Sequence, residues 1–232
     1  MSTITVVIAS YQYGHLAAHC IESVLCQSRK PDKILFVDDG VGDCGHLPKI
    51  YPEVEYVLRE KNMGTVANFQ DMLMRVTTDK CMFLGADNWL RADTLEILDK
   101  IDADVVVYDI VVTGDSKKGI HARHGNEMTS YQGDLYWTRY KHHHGSMLYK
   151  TKLAQSIGYK GTGGKHSEED LYLFREMKNR GAKMEWVKEG LLYYRRHREN
   201  FIKRTKFLKK YNTFLEIIAN DKSAGAIELG KK

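Results

Sequence analysis

Short apolar runs alternate with amphipathic helical segments through the first part of the chain. Residues 4–9 form a β-branched run that predicts a buried strand, and residues 15–27 place apolar side chains at helical spacing. A second run at 33–37 completes a strand–helix–strand unit, which requires a parallel sheet with a right-handed crossover. The same pattern predicts further strands at 55–58, 81–90 and 104–112, with helices at about 65–76 and 94–101.

The second part of the chain is less regular. Residues 113–144 are rich in Gly, His, Tyr and charged residues and show no clear period. Beyond them the pattern predicts short strands at 148–149, 184–187 and 191–194, and helices at 168–179 and 204–219. We therefore expect one α/β domain, 1–232, with a Rossmann-like, mostly parallel sheet flanked by helices in about 1–112, a mixed half in about 113–200, and a basic helix and tail in 201–232.

The composition argues against a membrane-spanning chain and against a disulfide framework. No apolar run approaches the roughly 20 residues of a membrane span, and no basic region precedes the first apolar run. The four cysteines have no metal-site spacing and are expected to be reduced thiols. We expect a cytoplasmic protein, with peripheral attachment at a membrane surface as an alternative.

A basic block lies at 195–210, where eight Lys and Arg residues accompany the single acid Glu199. Such a block favours phosphates, an acidic membrane surface or nucleic acid as partner. A solvated helix face explains the charge equally well.

Polar residues follow three of the predicted strands at the point where each strand ends. These are Ser10-Tyr11, Asp38-Asp39 and Asp87-Asn88. In open α/β sheets, ligands bind outside the carboxyl ends of the strands, and a carboxylate there can hold a cation that in turn holds phosphates. The alternative is local capping: Asp87 would cap a helix starting near Arg91, and the Asp38-Asp39 pair would cap a turn.

These segments, taken in order, resemble the family-2-type glycosyltransferases of the GT-A fold. The resemblance covers nearly the whole chain to about residue 200, and only the ordered set of motifs is specific. The motifs are Thr5–Gln12, Ile21–Gln27, Val37-Asp38-Asp39-Gly40, Asn62–Asn68, Phe83-Leu84-Gly85-Ala86-Asp87-Asn88, Gly145–Tyr149 with Ile157–Tyr159, Glu169-Asp170-Leu171 and Tyr194-Arg195-Arg196-His197.

The resemblance implies an inverting hexosyl- or pentosyltransferase that moves a sugar from a nucleotide-diphosphate sugar, expected to be UDP-linked, to an acceptor hydroxyl. Tyr11 would stack on the base, and Asp38 or Asp39 would accept hydrogen bonds from base or ribose. Arg195 and Arg196 would bind the diphosphate. The full donor-binding set implied is Ala9, Ser10, Tyr11, Asp38, Asp39, Asn62, Gly64, Ala86, Arg195 and Arg196.

Metal and catalytic residues follow from the same resemblance. Asp87 and His197 would hold Mn²⁺ or Mg²⁺, which neutralises the leaving diphosphate. Asp170 would be the general base with Glu169 beside it. Crowding of the three acids at 168–170 is expected to raise the pKa of one of them, whereas helix capping is the alternative role for these acids.

The chain departs from the family at Gly85, where an acid is usual, so the cation is expected to rely on His197, water and the donor phosphates. The acceptor is left open: a glycan, a lipid-linked sugar, or nucleic acid bound through 195–210, including hydroxymethylated DNA bases. A catalytically degenerate sugar-nucleotide-binding module is the alternative from another class. A nucleotidyltransferase is disfavoured because no Gly-rich basic loop follows the first strand. A metal cluster at His142–His144 ranks below an acceptor-binding or exposed loop.

Overall fold

One sheet of ten strands forms the centre of the computed structural model, which describes residues 2–114, 128–131, 134–137, 146–161 and 169–197. Its order in the described residues is β3-β2-β1-β4-β9-β6-β10-β5, and a hairpin of β7 and β8 pairs with β6 through β8.

The first half follows the predicted alternation closely. Its elements are β1 (Ile4–Ser10), α1 (Gly14–Leu25), β2 (Lys33–Asp38), α2 (Leu47–Ile50), β3 (Glu55–Leu58), α3 (Thr65–Arg75), β4 (Lys80–Gly85), β5 (Trp89–Leu90) and α4 (Thr94–Asp99). The predicted strand at 81–90 is divided, because the chain turns at 86–88 and then pairs with a different neighbour.

The second half contains more structure than the sequence predicted. Its elements are β6 (Val105–Gly114), β7 (Met128–Tyr131), β8 (Asp134–Trp137), β9 (Met147–Lys150), α5 (Thr151–Ile157), α6 (Glu169–Asn179) and β10 (Met184–Arg196). The two strands predicted at 184–187 and 191–194 are one strand whose register against β6 shifts between Val187 and Leu192. The helix predicted at 204–219 lies outside the described residues.

The directions of the strands bring their carboxyl ends to one edge. β1 is parallel to both β2 and β4, and β10 is parallel to β6. Because β9 is antiparallel to both β4 and β6, those two strands also run in the same direction. We call this side of the sheet the carboxyl edge. The expected mostly parallel sheet with a mixed second half is therefore confirmed.

Helices cover both faces of the sheet, as the alternation of side chains along a buried strand requires. Val6 and Ile8 face a core that includes residues of α1 and α4, whereas Val7 faces residues of α3, α5 and α6. In α6 the buried stripe is Glu169, Leu173 and Met177. The apolar residues at helical spacing in this helix predict a different stripe of Leu171, Phe174 and Met177, but Leu171 and Phe174 are only half-buried.

None of the described helices has the length and apolar character needed to cross a membrane.

Candidate functional site

Backbone hydrogen bonds hold the three strand ends together at the carboxyl edge. The Ala86 N–H donates to the Ala9 carbonyl at 2.9 Å, and the Asp39 N–H donates to the Ser10 carbonyl at 2.9 Å. The structure thus brings together five residues of the predicted donor site: Ala9, Ser10, Asp38, Asp39 and Ala86.

Asp38 is fully buried and caps the turn that follows it. Its two carboxylate oxygens accept the N–H groups of Val41 (3.1 Å) and Gly42 (3.0 Å). The turn-capping alternative is therefore confirmed for Asp38. Recognition of a base or ribose by this side chain stays a prediction.

Asp39 holds the loop that leads into α3. One carboxylate oxygen accepts Asn62 Nδ2 at 2.9 Å, and the other accepts the Met63 N–H at 3.0 Å. Arg59 adds charge beside the same carboxylate, with Nε 3.6 Å away. Asn62 in turn accepts the Gly64 N–H at 2.9 Å. The predicted donor residues Asp39, Asn62 and Gly64 are therefore one hydrogen-bonded unit.

Gly40 allows this loop to approach the strand end. Its φ is +81°, and an added Cβ would lie 2.2 Å from the Lys61 carbonyl carbon and 2.4 Å from the Asn62 nitrogen. Only glycine fits both the left-handed conformation and the close backbone approach. The chain therefore turns sharply at this position.

Asp87 lies in the turn between β4 and β5 and is 6% exposed. Its Oδ2 is 3.0 Å from Nε2 of His197, so the two predicted metal ligands are in contact. The helix α4 begins at Thr94 after Asp93. The interpretation of Asp87 as the cap of that helix is therefore wrong.

Arg195 is fixed against the same turn by its backbone and by its side chain. Its N–H donates to Asn88 Oδ1 at 2.9 Å, and its Nε donates to the Asp87 carbonyl at 3.0 Å. The guanidinium lies 4.8 Å from the centre of the Trp89 ring and 2.8 Å from His19 Nδ1. Arg195 thus places a fixed positive charge beside Asp87. The side chain of Arg196 lies outside the described part of the chain.

Three aromatic residues near the start of α1 were not predicted as site residues. The Tyr13 ring meets the His197 ring edge-on at 5.5 Å, and the His19 ring stacks on Trp89 at 4.7 Å. The pKa of His15 is lowered, first by partial desolvation and then by the charge of His197. For Tyr13 and His15, the available signal was their position shortly after the end of β1; His19 lies within α1, where its position carried no such signal.

The predicted catalytic acids lie at the start of α6. Glu169 is 6% exposed, and burial raises its pKa. The expected cause, crowding by neighbouring acids, is therefore not the main one, and Glu168 lies outside the described residues. The Asp170 carboxylate accepts the N–H of Leu171 at 2.7 Å. Asp170 is only partly buried, which leaves it the more accessible acid of the two.

Within the described ranges, two groups of side chains are considered as holders of a cation. Ligand atoms of Asp38, Asp43 and Cys44 lie within 4.8 Å of one another. Both Asp38 oxygens already accept backbone N–H groups, Asp43 accepts the Gly14 N–H at 2.8 Å, and burial raises the pKa of the Cys44 thiol. A thiol that stays protonated fits a cation poorly.

Asp87 and His197 fit a cation better. In an octahedral shell with metal–ligand bonds of about 2.1 Å, adjacent ligand atoms are about 3 Å apart. Asp87 Oδ2 and His197 Nε2 have this separation, 3.0 Å. An oxygen and an imidazole nitrogen suit Mn²⁺ better than Mg²⁺.

Comparison with known proteins decides the family. The sequence model described as "Glycosyl transferase family 2" matches residues 5–162, which include the three strand ends and the Asp87 turn. The chain belongs to glycosyl transferase family 2.

Relatives of this family-2 chain differ from it in length. It is 27% identical over 112 residues to "Glycosyltransferase GlyA" of Streptococcus pneumoniae serotype 4, a match that covers 45% of this chain and 16% of that protein. The S. aureus TarS 1–349 structure in complex with UDP-GlcNAc has a TM-score of 0.66 and 15% identity, covering 94% of this chain and 66% of that one. TarS 1–349 in complex with UDP gives 0.64 and 16%, covering 86% and 62%. These structural matches confirm the expected GT-A fold.

The departure of this family-2 chain at Gly85 has a steric explanation. An added Cβ would lie 2.7 Å from Asp87 Oδ1 and 2.9 Å from Asn88 Nδ2. A residue larger than glycine at this position would therefore displace the ends of the Asp87 and Asn88 side chains.

Proposed function

We propose that this chain transfers a sugar from a nucleotide-diphosphate sugar to an acceptor hydroxyl with inversion. The observation that carries the proposal is the contact of Asp87 with His197 at the carboxyl edge, where family-2 membership leads us to expect a donor diphosphate. UDP is the expected nucleotide, in keeping with the TarS structures solved with UDP and UDP-GlcNAc.

Asp87 and His197 would hold Mn²⁺ or Mg²⁺. The bound ion supplies positive charge that stabilises the leaving diphosphate. Arg195 contributes to the same electrostatic environment, because its guanidinium is kept beside Asp87 by Trp89 and His19. Preorganised charge of this kind requires no reorganisation during the reaction. Arg196 keeps its expected role as a second phosphate-binding residue.

The nucleoside would lie between the ends of β1 and β2. Tyr11 is half-buried after β1 and offers a ring for stacking. Asp38 and Asp39 each accept two hydrogen bonds from the protein, and a carboxylate has about four acceptor positions. Their internal bonds are therefore compatible with further bonds to base or ribose hydroxyls.

Asp170 would remove the proton from the acceptor hydroxyl. Its partial exposure at the start of α6 favours it over Glu169, whose buried carboxyl with a raised pKa suits a supporting role. The N–H of Leu171 fixes one carboxylate oxygen of Asp170. The other oxygen would take the proton once the acceptor hydroxyl lies within hydrogen-bond reach, as general-base catalysis requires.

For the acceptor we propose three classes of molecule: a glycan, a lipid-linked sugar, or nucleic acid bound through the basic segment at 195–210. Activity on hydroxymethylated DNA that falls steeply with salt would support the last, because phosphate contacts release counterions. Equal activity on free sugars would contradict it. A cytoplasmic location, or a peripheral one through the same segment, belongs to this proposal.

A thermal-shift panel of nucleotide sugars with and without Mn²⁺ tests the proposal. A ligand at about 100 times its dissociation constant stabilises the native state by about 2.7 kcal/mol. We expect the largest rise in melting temperature for a UDP-sugar with Mn²⁺, followed by slow hydrolysis of that donor. Binding without hydrolysis or transfer would favour the degenerate binding module, the alternative that Gly85 suggests. Absence of binding by every nucleotide sugar would contradict both functions.

A further inference from the structure

The last residues of β10 contact the Asp87 turn through the Arg195 side chain and through the buried side-chain amide of Asn88. Asn88 is 3% exposed, and its Oδ1 accepts the backbone N–H of Arg195 at 2.9 Å. His197 follows two residues later. Two residues of extended chain span only about 7 Å, so fixing the backbone at Arg195 leaves the His197 ring few positions. In the position it takes, Nε2 lies 3.0 Å from Asp87 Oδ2.

Gly85 belongs to the same arrangement. The Asn88 N–H donates to the Gly85 carbonyl at 2.9 Å, which closes the turn that presents Asp87. A Cβ at residue 85 would meet Asn88 Nδ2 and Asp87 Oδ1 below 3.0 Å. A larger residue there would displace the two side chains that contact Arg195 and His197.

We propose that Asn88 is a positioning residue that sets His197 against Asp87, and that Gly85 provides the space that this arrangement needs. The inference rests on the proposed function for the role of the pair as metal ligands. It also reverses the simplest expectation for Gly85: an aspartate at this position, which matches the usual family motif, weakens the metal site in this chain instead of strengthening it.

Asn88→Leu and Asn88→Asp test the inference as a pair. Leucine keeps a side chain of similar size and removes the acceptor, whereas aspartate keeps the acceptor. The control is Thr94→Val: the buried Thr94 hydroxyl donates to the Leu191 carbonyl at 2.9 Å and ties the same two segments together away from His197. We expect similar losses in melting temperature for Asn88→Leu and Thr94→Val.

The first measurement needs no metal. The imidazole ¹⁵N signals of His197, assigned with His197→Gln, report the hydrogen bond to Asp87. We expect them to change in Asn88→Leu and to be retained in Asn88→Asp and Thr94→Val. Unchanged signals in Asn88→Leu, or equal changes in Thr94→Val, would overturn the positioning role.

The second measurement is the ratio of UDP dissociation constants in EDTA and in Mn²⁺, by titration calorimetry. Loss of a group that orients a metal ligand typically costs 10–100-fold, so we expect this ratio to fall about tenfold in Asn88→Leu, Gly85→Ala and Gly85→Asp. A ratio of wild-type size or larger in Gly85→Asp would overturn the role given to Gly85. If the wild-type protein itself shows no metal effect while its ¹⁵N signals behave as expected, the proposed metal site fails and the positioning of His197 stands.

Discussion

Asp87 Oδ2 and His197 Nε2 are 3.0 Å apart, although 110 positions of sequence separate the two residues. Replacing Asp87 by Asn removes the charge and keeps the size of the side chain. We expect Asp87→Asn to abolish the Mn²⁺-dependent part of the UDP thermal shift, because a neutral amide is a weak ligand for a divalent cation.

Asp93→Asn is the matched control for Asp87→Asn. Asp93 lies on the next connection, directly before α4, but is half exposed and pairs with Arg91. An exposed ion pair contributes about 1 kcal/mol or less, so this variant should keep the full metal effect. A metal-dependent shift that survives in Asp87→Asn would place the cation elsewhere, with Asp38 and Asp43 the next carboxylates to replace.

Alanine substitutions at Gly40 and Gly42 distinguish the cost of backbone strain from the cost of a steric clash. Both have positive φ, +81° and +79°, but an added Cβ at Gly42 meets nothing within 4 Å, whereas at Gly40 it would meet the Lys61 backbone. We expect Gly42→Ala to cost about 1 kcal/mol of unfolding free energy and Gly40→Ala about 3 kcal/mol or more. Urea denaturation of both variants measures the difference.

The same pair of variants tests the link to donor binding. Gly40→Ala should also weaken UDP binding, since the displaced residues include Asn62, which Asp39 holds. Gly42→Ala should retain most of that binding. Equal losses of unfolding free energy in the two variants would contradict the prediction, because they would show that the loop at Lys61 and Asn62 moves to accommodate the new methyl group.

Asp170→Asn should separate donor binding from turnover. The amide oxygen can still accept the Leu171 N–H, so the start of α6 should remain intact. We expect an unchanged thermal shift with UDP-sugar and Mn²⁺, and a loss of turnover of 10²-fold or more, the contribution typical of a general base. Turnover within a few-fold of the wild type would assign the base to another residue.

Glu169 gives a pH-dependent prediction. Burial raises its pKa above the ordinary value of 4.5, so the native state binds the proton more tightly than the unfolded state does. The native state is therefore favoured at low pH, and this contribution is lost as pH rises through the native pKa. Glu169→Gln resembles the protonated form, so it should raise the melting temperature at about pH 7 and have little effect at about pH 4.

Melting curves of Glu169→Gln at both pH values check the sign. A Glu169→Gln variant that is less stable at neutral pH would mean that the charged carboxylate has a stabilising partner. A stabilised variant with reduced activity would indicate that the buried charge is kept for catalysis.

Local patterns were sufficient for most of the first half of the fold, although not for α2 or for the division of 81–90. The β-branched run at 4–9 and the helical spacing at 15–27 depend on neighbours in sequence, and the bounds of β1 and α1 agree with them. The rule that parallel strands end at one edge then placed Asp38, Asp39 and Asp87 together without any knowledge of their contacts.

The parts that could not be predicted depend on distant residues. The division of 81–90 into β4 and β5 arises because Trp89 and Leu90 pair with β10, and β10 is one strand because β6 supports it along its length. The hydrogen bond from Arg195 to Asn88 joins residues 107 positions apart. A periodic pattern of apolar residues reports only on neighbours in sequence and cannot indicate such a contact. The sequence therefore identified Asn88 only as a member of a motif, with no role of its own.

The register shifts in β10 have a consequence for how much this strand tolerates a change of length. Met184–Val187 pairs with β6 in one register, and Leu192–Arg196 pairs in another. Lys188 and Glu189, between the two segments, are exposed. An engineered insertion at these residues can be absorbed as a larger bulge, because the pairing on either side is set independently. The stretch from Leu192 to His197 contains no such bulge. The number of its residues therefore sets the distance from the paired part of β10 to the Asp87 turn, and an insertion there would move His197 away from Asp87.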